Sequence, residues 1–102
     1  MDTLKEIVHQ VVSGYAGEAL NGVNLLTTNA DNTVFTVVSI GDYKGERIVD
    51  MGLVVRLIGD QVVIERDAND EPVVNALRQA GVPREKIVLA YAGETLATQG
   101  QS

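Results

Sequence analysis

The chain has no cysteine, no tryptophan, one histidine, one phenylalanine and two prolines in 102 residues. Each scarcity removes a class of function. Without cysteine there is no disulfide framework, no thiolate metal site and no cysteine nucleophile. With His9 as the only imidazole, a metal site would have to be mostly carboxylate, and no acidic cluster has the spacing of a calcium loop. Aromatic rings are limited to Tyr15, Phe35, Tyr43 and Tyr91, and they are not interleaved with basic residues, so there is no base-stacking platform. Positive charge is also in deficit. Against 14 acidic side chains stand 8 basic ones, a net charge of -6. Such a surface repels a phosphate backbone and gives anionic lipid no basic face, so neither direct nucleic-acid binding nor membrane binding is expected. No apolar run approaches the length of a bilayer span. The opening "MDTLKEIVHQ" starts on an acid and interleaves polar with apolar residues, unlike a signal peptide. The expected compartment is the cytoplasm.

What remains is ordinary globular composition, 45% hydrophobic and 22% charged, enough for one packed domain over residues 1–102. Leu4, Ile7, Val8, Val11, Val12 and Tyr15 recur at helical spacing, with Asp2 or Thr3 as cap and Thr3–Glu6 as a capping box. Gly14 and Gly17 mark the helix end, and "GEALNG" reads as a linker. Four strands follow: Val23 to Thr28, Thr33 to Ile40, Arg47 to Gly59 and Val62 to Arg66. "NADN", "GDYKGE" and "GDQ" are the turns between them. Gly52, inside the long strand, predicts a bulge or a close backbone approach. Asn69 or Asp70 is the expected cap of a second helix with Glu71 and Pro72 in its first turn; Val73, Val74, Leu77 and Ala80 face the sheet. Gly81 is the expected left-handed glycine after that helix, and Pro83 stops its continuation. Lys86 to Tyr91 is the last strand, buried on both faces by its continuous apolar run. The tail, 92–102, lacks periodicity and is expected to fray. The fold class is therefore α+β: an N-terminal helix, a four-stranded antiparallel meander, a short helix and a fifth strand, with both helices packed on the sheet.

No constellation for catalysis, cofactor or metal emerges, so the expected catalytic, cofactor and metal residues are none and the protein reads as a non-enzyme. His9 falls on the polar side of the first helix with no serine-nucleophile motif to serve. "GDYKGER" lacks phosphate-loop spacing and joins two strands. "DANDE" is explained by helix capping. Arg47, Arg56, Arg66 and Arg84 are scattered and suit strand-edge protection. The branched aliphatics Val34, Val37, Val38, Val49, Val54, Val55, Leu57, Val62 and Ile64 cannot all face two modest helices. Strand alternation sends part of this set to the opposite face, which marks an interaction surface. A two-fold homodimer is one expected cover for it.

The element order, together with "GVPREKIVL" at Gly81 to Leu89, resembles the XisI-like family, the fdxN-element excision controlling factors. The likeness is sharpest over "VVNALRQAGVPREKIVLAY", Val73 to Tyr91, and extends to the hairpin "MGLVVRLIGDQVVIER". This chain has Val63 where the family favours an aromatic and Arg56 near a place where it often has histidine. Its tail "AGETLATQGQS" replaces a segment with proline and arginine. The resemblance implies a non-enzymatic accessory factor in excision of a DNA element, as in cyanobacteria. It would act through an XisH-like, nuclease-like protein partner. The alternative function is an antitoxin- or immunity-like inhibitor of such a partner, and an acidic surface suits either role.

Overall fold

The computed structural model describes residues 3–96. Helix α1 (Leu4–Ser13) begins at the expected capping box. The Thr3 hydroxyl accepts from the Glu6 amide at 3.2 Å, and the Glu6 carboxylate accepts from the Thr3 amide at 2.8 Å. Two of the unpaired amides of the first turn are thereby satisfied. Gly14 caps the other end. Six strands then form one sheet in chain order: β1 (Gly17–Ala19), β2 (Gly22–Thr28), β3 (Val34–Tyr43), β4 (Glu46–Ile58), β5 (Gln61–Asp67) and β6 (Ile87–Leu89).

Two features depart from the expected four-plus-one antiparallel sheet. The "GEALNG" segment is not a linker: its first three residues are β1, paired antiparallel with β2. The cause lies in the glycines. Gly22 sits directly opposite Gly41, and a Cβ on Gly22 would lie 2.0 Å from the Ile40 carbonyl oxygen. Only glycine lets the β1–β2 corner come so close to β3. The last strand is also parallel to its neighbour β5, and shorter than expected. Helix α2 (Val73–Gln79) carries the chain back to the starting end of β5, and a strand after such a crossover runs parallel. Ala90 and Tyr91, expected within that strand, instead open a 3-10 turn that runs to Ala92.

The turns follow their sequences. Lys44 and Gly45 both have positive φ, 51° and 81°, the pattern of a type I′ hairpin. Gly59, at φ 62°, opens the β4–β5 hairpin. Between β2 and β3 the Asn29 carboxamide oxygen accepts from the Thr33 and Val34 amides at 2.8 and 3.0 Å, an Asx-type closure.

Both helices cover one face of the sheet. Val8 and Val12 from α1, and Val73 and Leu77 from α2, bury with Phe35, Val37, Leu53, Val55, Val62, Ile64, Val82 and Ile87 in one core. Leu4, Ile7, Val11 and Tyr15 complete the α1 stripe at its margin. Tyr15 donates to the Glu71 carbonyl at 2.8 Å and ties the turn after α1 to the segment that leads into α2. Burial, then the charges of Asp67 and Glu71, raise its phenol above the usual value.

Helix α2 is capped differently from expectation. Neither Asn69 nor Asp70 caps it, and Pro72 precedes the first turn, where it supplies no side-chain acceptor. The Asp67 carboxylate reaches across and accepts from the Val73 amide at 2.7 Å, and from the Asn69 amide and carboxamide at 3.1 and 2.9 Å. The helix ends as predicted. Gly81 has φ 104°, its amide donates to Arg78 and the Val82 amide donates to Leu77, both at 3.0 Å. This is a Schellman closure, and the buried Val82–Leu77 pair supplies its apolar contact.

The tail expected to fray is held at its start. The Leu89 amide donates to Glu94 at 2.8 Å, and Arg84 donates to the same carboxylate at 2.7 Å. The Leu89 amide first, and Arg84 second, hold the Glu94 carboxyl below its usual pKa. The rest of that segment, 97–102, lies outside the described residues, as does Asp2, the alternative cap of α1.

Gly81→Ala is expected to cost about 1 kcal/mol, because alanine must adopt positive φ there. Gly22→Ala should cost about 3 kcal/mol or more, since its Cβ meets rigid backbone rather than a side chain that can swing away. Urea denaturation of the two variants checks both values, and the reverse order would contradict the close-approach argument. The depressed Glu94 pKa gives a third expectation. Its stabilisation is fully present above the ordinary carboxylate range and is lost as pH falls through the lowered value. An NMR titration of Glu94 against Leu89 amide protection measures this directly.

Candidate interaction surface

The residues weighed for chemistry in the sequence occupy separate surface positions. His9 is exposed, its ring edge-on to Phe35 at 6.1 Å between centroids, and the nearby Ser13 hydroxyl donates to the His9 backbone carbonyl instead of the ring. "GDYKGER" is the type I′ hairpin. "DANDE" is the Asp67–Asn69 cap network. Four of the five arginines each pair with a different carboxylate: Arg47 with Asp42, Arg56 with Glu65, Arg66 with Asp50 and Arg84 with Glu94, all partly or fully in water. Exposed pairs of this kind add little stability. Among the described residues, no group of three or more His, Asp or Glu could hold a metal ion, and no helix is long and apolar enough to cross a membrane.

The surface that stands out is the sheet face away from the helices. Its composition depends on a bulge. Val37 pairs with Leu53 and Val38 with Met51, so Gly52 is the extra residue in β4. The sequence predicted a bulge or a close approach at this glycine, and the bulge sets the phase of the strand. In an unbroken strand Leu53, Met51 and Val49 would share a face. With the bulge, Leu53 is in the core, while Met51 and Val49 stand on the opposite face. A second bulge, between Val54 and Val55, makes Glu65 the extra residue of β5.

The result is a charge-free block of two cross-strand rows: Val23, Ile40 and Val49 in one, Leu25, Val38 and Met51 in the next. Leu25, Val49 and Met51 are 45%, 63% and 50% exposed. The block lies at the β2–β4 end. Towards β6 the same face is closed, with Val63 and Val88 buried. The aliphatics judged too many for the helices have thus divided. Val37, Val55, Leu57, Val62 and Ile64 face the core, and Val34, Val38, Val49 and Val54 face away.

On the helix side of the same hairpin, beyond the helices, lies a groove of about 300 Å³. Gly22 and Gly41 form its floor; Tyr43, Ile48 and the Asn24–Ser39 hydrogen-bonded pair, at 2.7 Å, form its walls. Tyr43 and Ile48 are exposed. The end of the β3–β4 hairpin therefore has apolar surface on both sides. The sequence hid Tyr43 because it read Gly41 to Glu46 as a loop; the two-residue Lys44–Gly45 turn was the signal that strand continues to Tyr43.

The molecule is a small α+β domain with helices on one face of its sheet and bare aliphatics on the other. The chain matches the family described as XisI protein over residues 1–99, and it belongs to that family of non-enzymatic regulatory proteins. Its fold is similar to the crystal structure of a XisI-like protein from Anabaena variabilis ATCC 29413, with TM-score 0.71 and 19% identity over 83% of this chain and 81% of that one. It is also similar to the crystal structure of fdxN element excision controlling factor XisI from the same organism, with TM-score 0.65 and 15% identity over 85% of this chain and 88% of that one. No curated protein matches the chain.

With net charge -6 and four of its five arginines already paired, the isolated protein should show no appreciable affinity for duplex DNA at physiological salt. A gel shift at sub-micromolar protein that survives added salt would contradict this.

Proposed function

We propose that this protein is a cytoplasmic accessory factor in the excision of a DNA element, and that it acts by binding a nuclease-like, XisH-type protein. The observation that carries this reading is the uncharged block of Val23, Leu25, Val38, Ile40, Val49 and Met51 on the open face. Two considerations support it. Family membership makes the chain a regulator, and a regulator without a nucleic-acid surface must reach DNA through another protein. The net acidity of the chain complements a basic nuclease face and would speed the encounter. The same acidity favours a second reading, in which the chain inhibits the nuclease-like partner as an antitoxin does. A two-fold homodimer through the open face would compete with the partner for the same residues.

Met51→Asp and Leu25→Asp place a charge where a partner must exclude water. Each should weaken binding of an XisH-type protein by roughly tenfold or more in calorimetry, while leaving melting temperature nearly unchanged because both side chains are already in water. Unaltered affinity in both variants would remove the open face from the account. Expression of the partner alone separates the two readings. Growth arrest relieved by this chain means inhibition, and unimpeded growth means regulated excision.

A further inference from the structure

The outer edge of β6 is occupied by two residues of the same chain. In a parallel strand, alternate residues point both amide and carbonyl away from the neighbouring strand. In β6, with Val88 in register with Val63 of β5, the outward residues are Ile87 and Leu89. All four of their backbone groups are taken. The Ile87 amide donates to the Arg84 carbonyl, and the Ile87 carbonyl accepts from Arg84 Nη1 at 2.8 Å. The Leu89 amide donates to Glu94 Oε1 at 2.8 Å, and the Leu89 carbonyl accepts from the Glu94 amide at 3.1 Å. Arg84 Nη2 and Glu94 Oε2 then meet at 2.7 Å and close the brace.

We infer that Arg84 and Glu94 together stand in for a seventh strand, and that this brace is an edge lock that keeps β6 from pairing with the β6 of a second copy. Chemistry says why this edge needs one. "IVLAYA", Ile87 to Ala92, is six uncharged residues with no proline, the composition that adds strands most readily. The other edges are guarded by other means. Strand β1 is only three residues long. The overhang of β4 past the end of β5 carries Glu46, Arg47 and Asp50, and Arg66 Nε occupies the Met51 carbonyl. The edge of β6 has no charge of its own, and Arg84 and Glu94 supply it from the flanking turns. This role is independent of the open face, which lies at the other end of the sheet.

The test compares Glu94→Ala and Arg84→Ala with Lys86→Ala in the full chain. Lys86 pairs with Asp60 at 2.7 Å but none of its side-chain bonds reach the backbone of β6, so it controls for loss of a nearby ion pair. Amide exchange at Leu89 should quicken by roughly tenfold or more in Glu94→Ala, with the Val12 and Leu77 amides unchanged. Both lock variants should form larger species with rising concentration in light scattering, while Lys86→Ala and the wild type keep the same mass. A lock variant with wild-type mass across the concentration range overturns the inference. So does quickened exchange spread evenly over the core, which would mean general destabilisation. Glu94→Gln keeps an acceptor for the Leu89 amide and loses the ion pair. It should retain most of the Leu89 protection, and full loss would show that charge alone holds the brace.

Discussion

One extra residue decides which side of this sheet is core and which is surface. Gly52 shifts the phase of β4, so that Leu53, Val55 and Leu57 lie under the helices while Met51 and Val49 turn outward. The bulge is held by more than its own strand. The Gly52 carbonyl accepts from the Ala68 amide at 2.9 Å and from the Asn69 carboxamide at 3.3 Å. Asn69 is in turn bound to Asp67, whose other carboxylate oxygen caps α2 at the Val73 amide. The phase of β4, the end of β5 and the start of α2 thus form one hydrogen-bonded unit. Glycine suits the position because a Cβ there would press on the Ser39 hydroxyl at 3.3 Å.

From that unit the division of labour follows. The helix-side face packs Phe35, Leu53, Ile64 and Leu77 to full burial and supplies the stability of a small domain. The opposite face cannot be covered by two short helices that already lie on the other side. It keeps its aliphatics in contact with water over β2, β3 and β4, where no element of the described chain returns. Contiguous exposed aliphatics of this kind mark an interaction surface.

Much of this was legible in the sequence because the signals were local. The Thr3–Glu6 box, the Gly81 closure, the Gly52 bulge and the excess of branched aliphatics each rest on a few adjacent residues or on simple alternation. The parts that were not legible depend on contacts distant in sequence. Strand β1 exists because Gly22 can lie against Gly41, a pairing that no local window contains. Asp67 caps α2 from six residues before Val73, beyond the reach of ordinary cap patterns. Glu94 sits in a segment without periodicity, and its value lies wholly in reaching back to Leu89 and Arg84. The phase consequence of the bulge, which turns Met51 outward, needed the register and not just the glycine.

The central claim is that the open face is bare in the free chain and covered in the working assembly. Paramagnetic relaxation of methyl protons by a soluble probe, recorded for the chain alone and with its partner, tests it most directly. The account predicts strong relaxation at Leu25, Val49 and Met51 in the free monomer, its loss in the assembly, and little relaxation at Val8, Val12 and Leu77 in either. Relaxation of Leu25, Val49 and Met51 that is equally strong in the assembly would contradict the account.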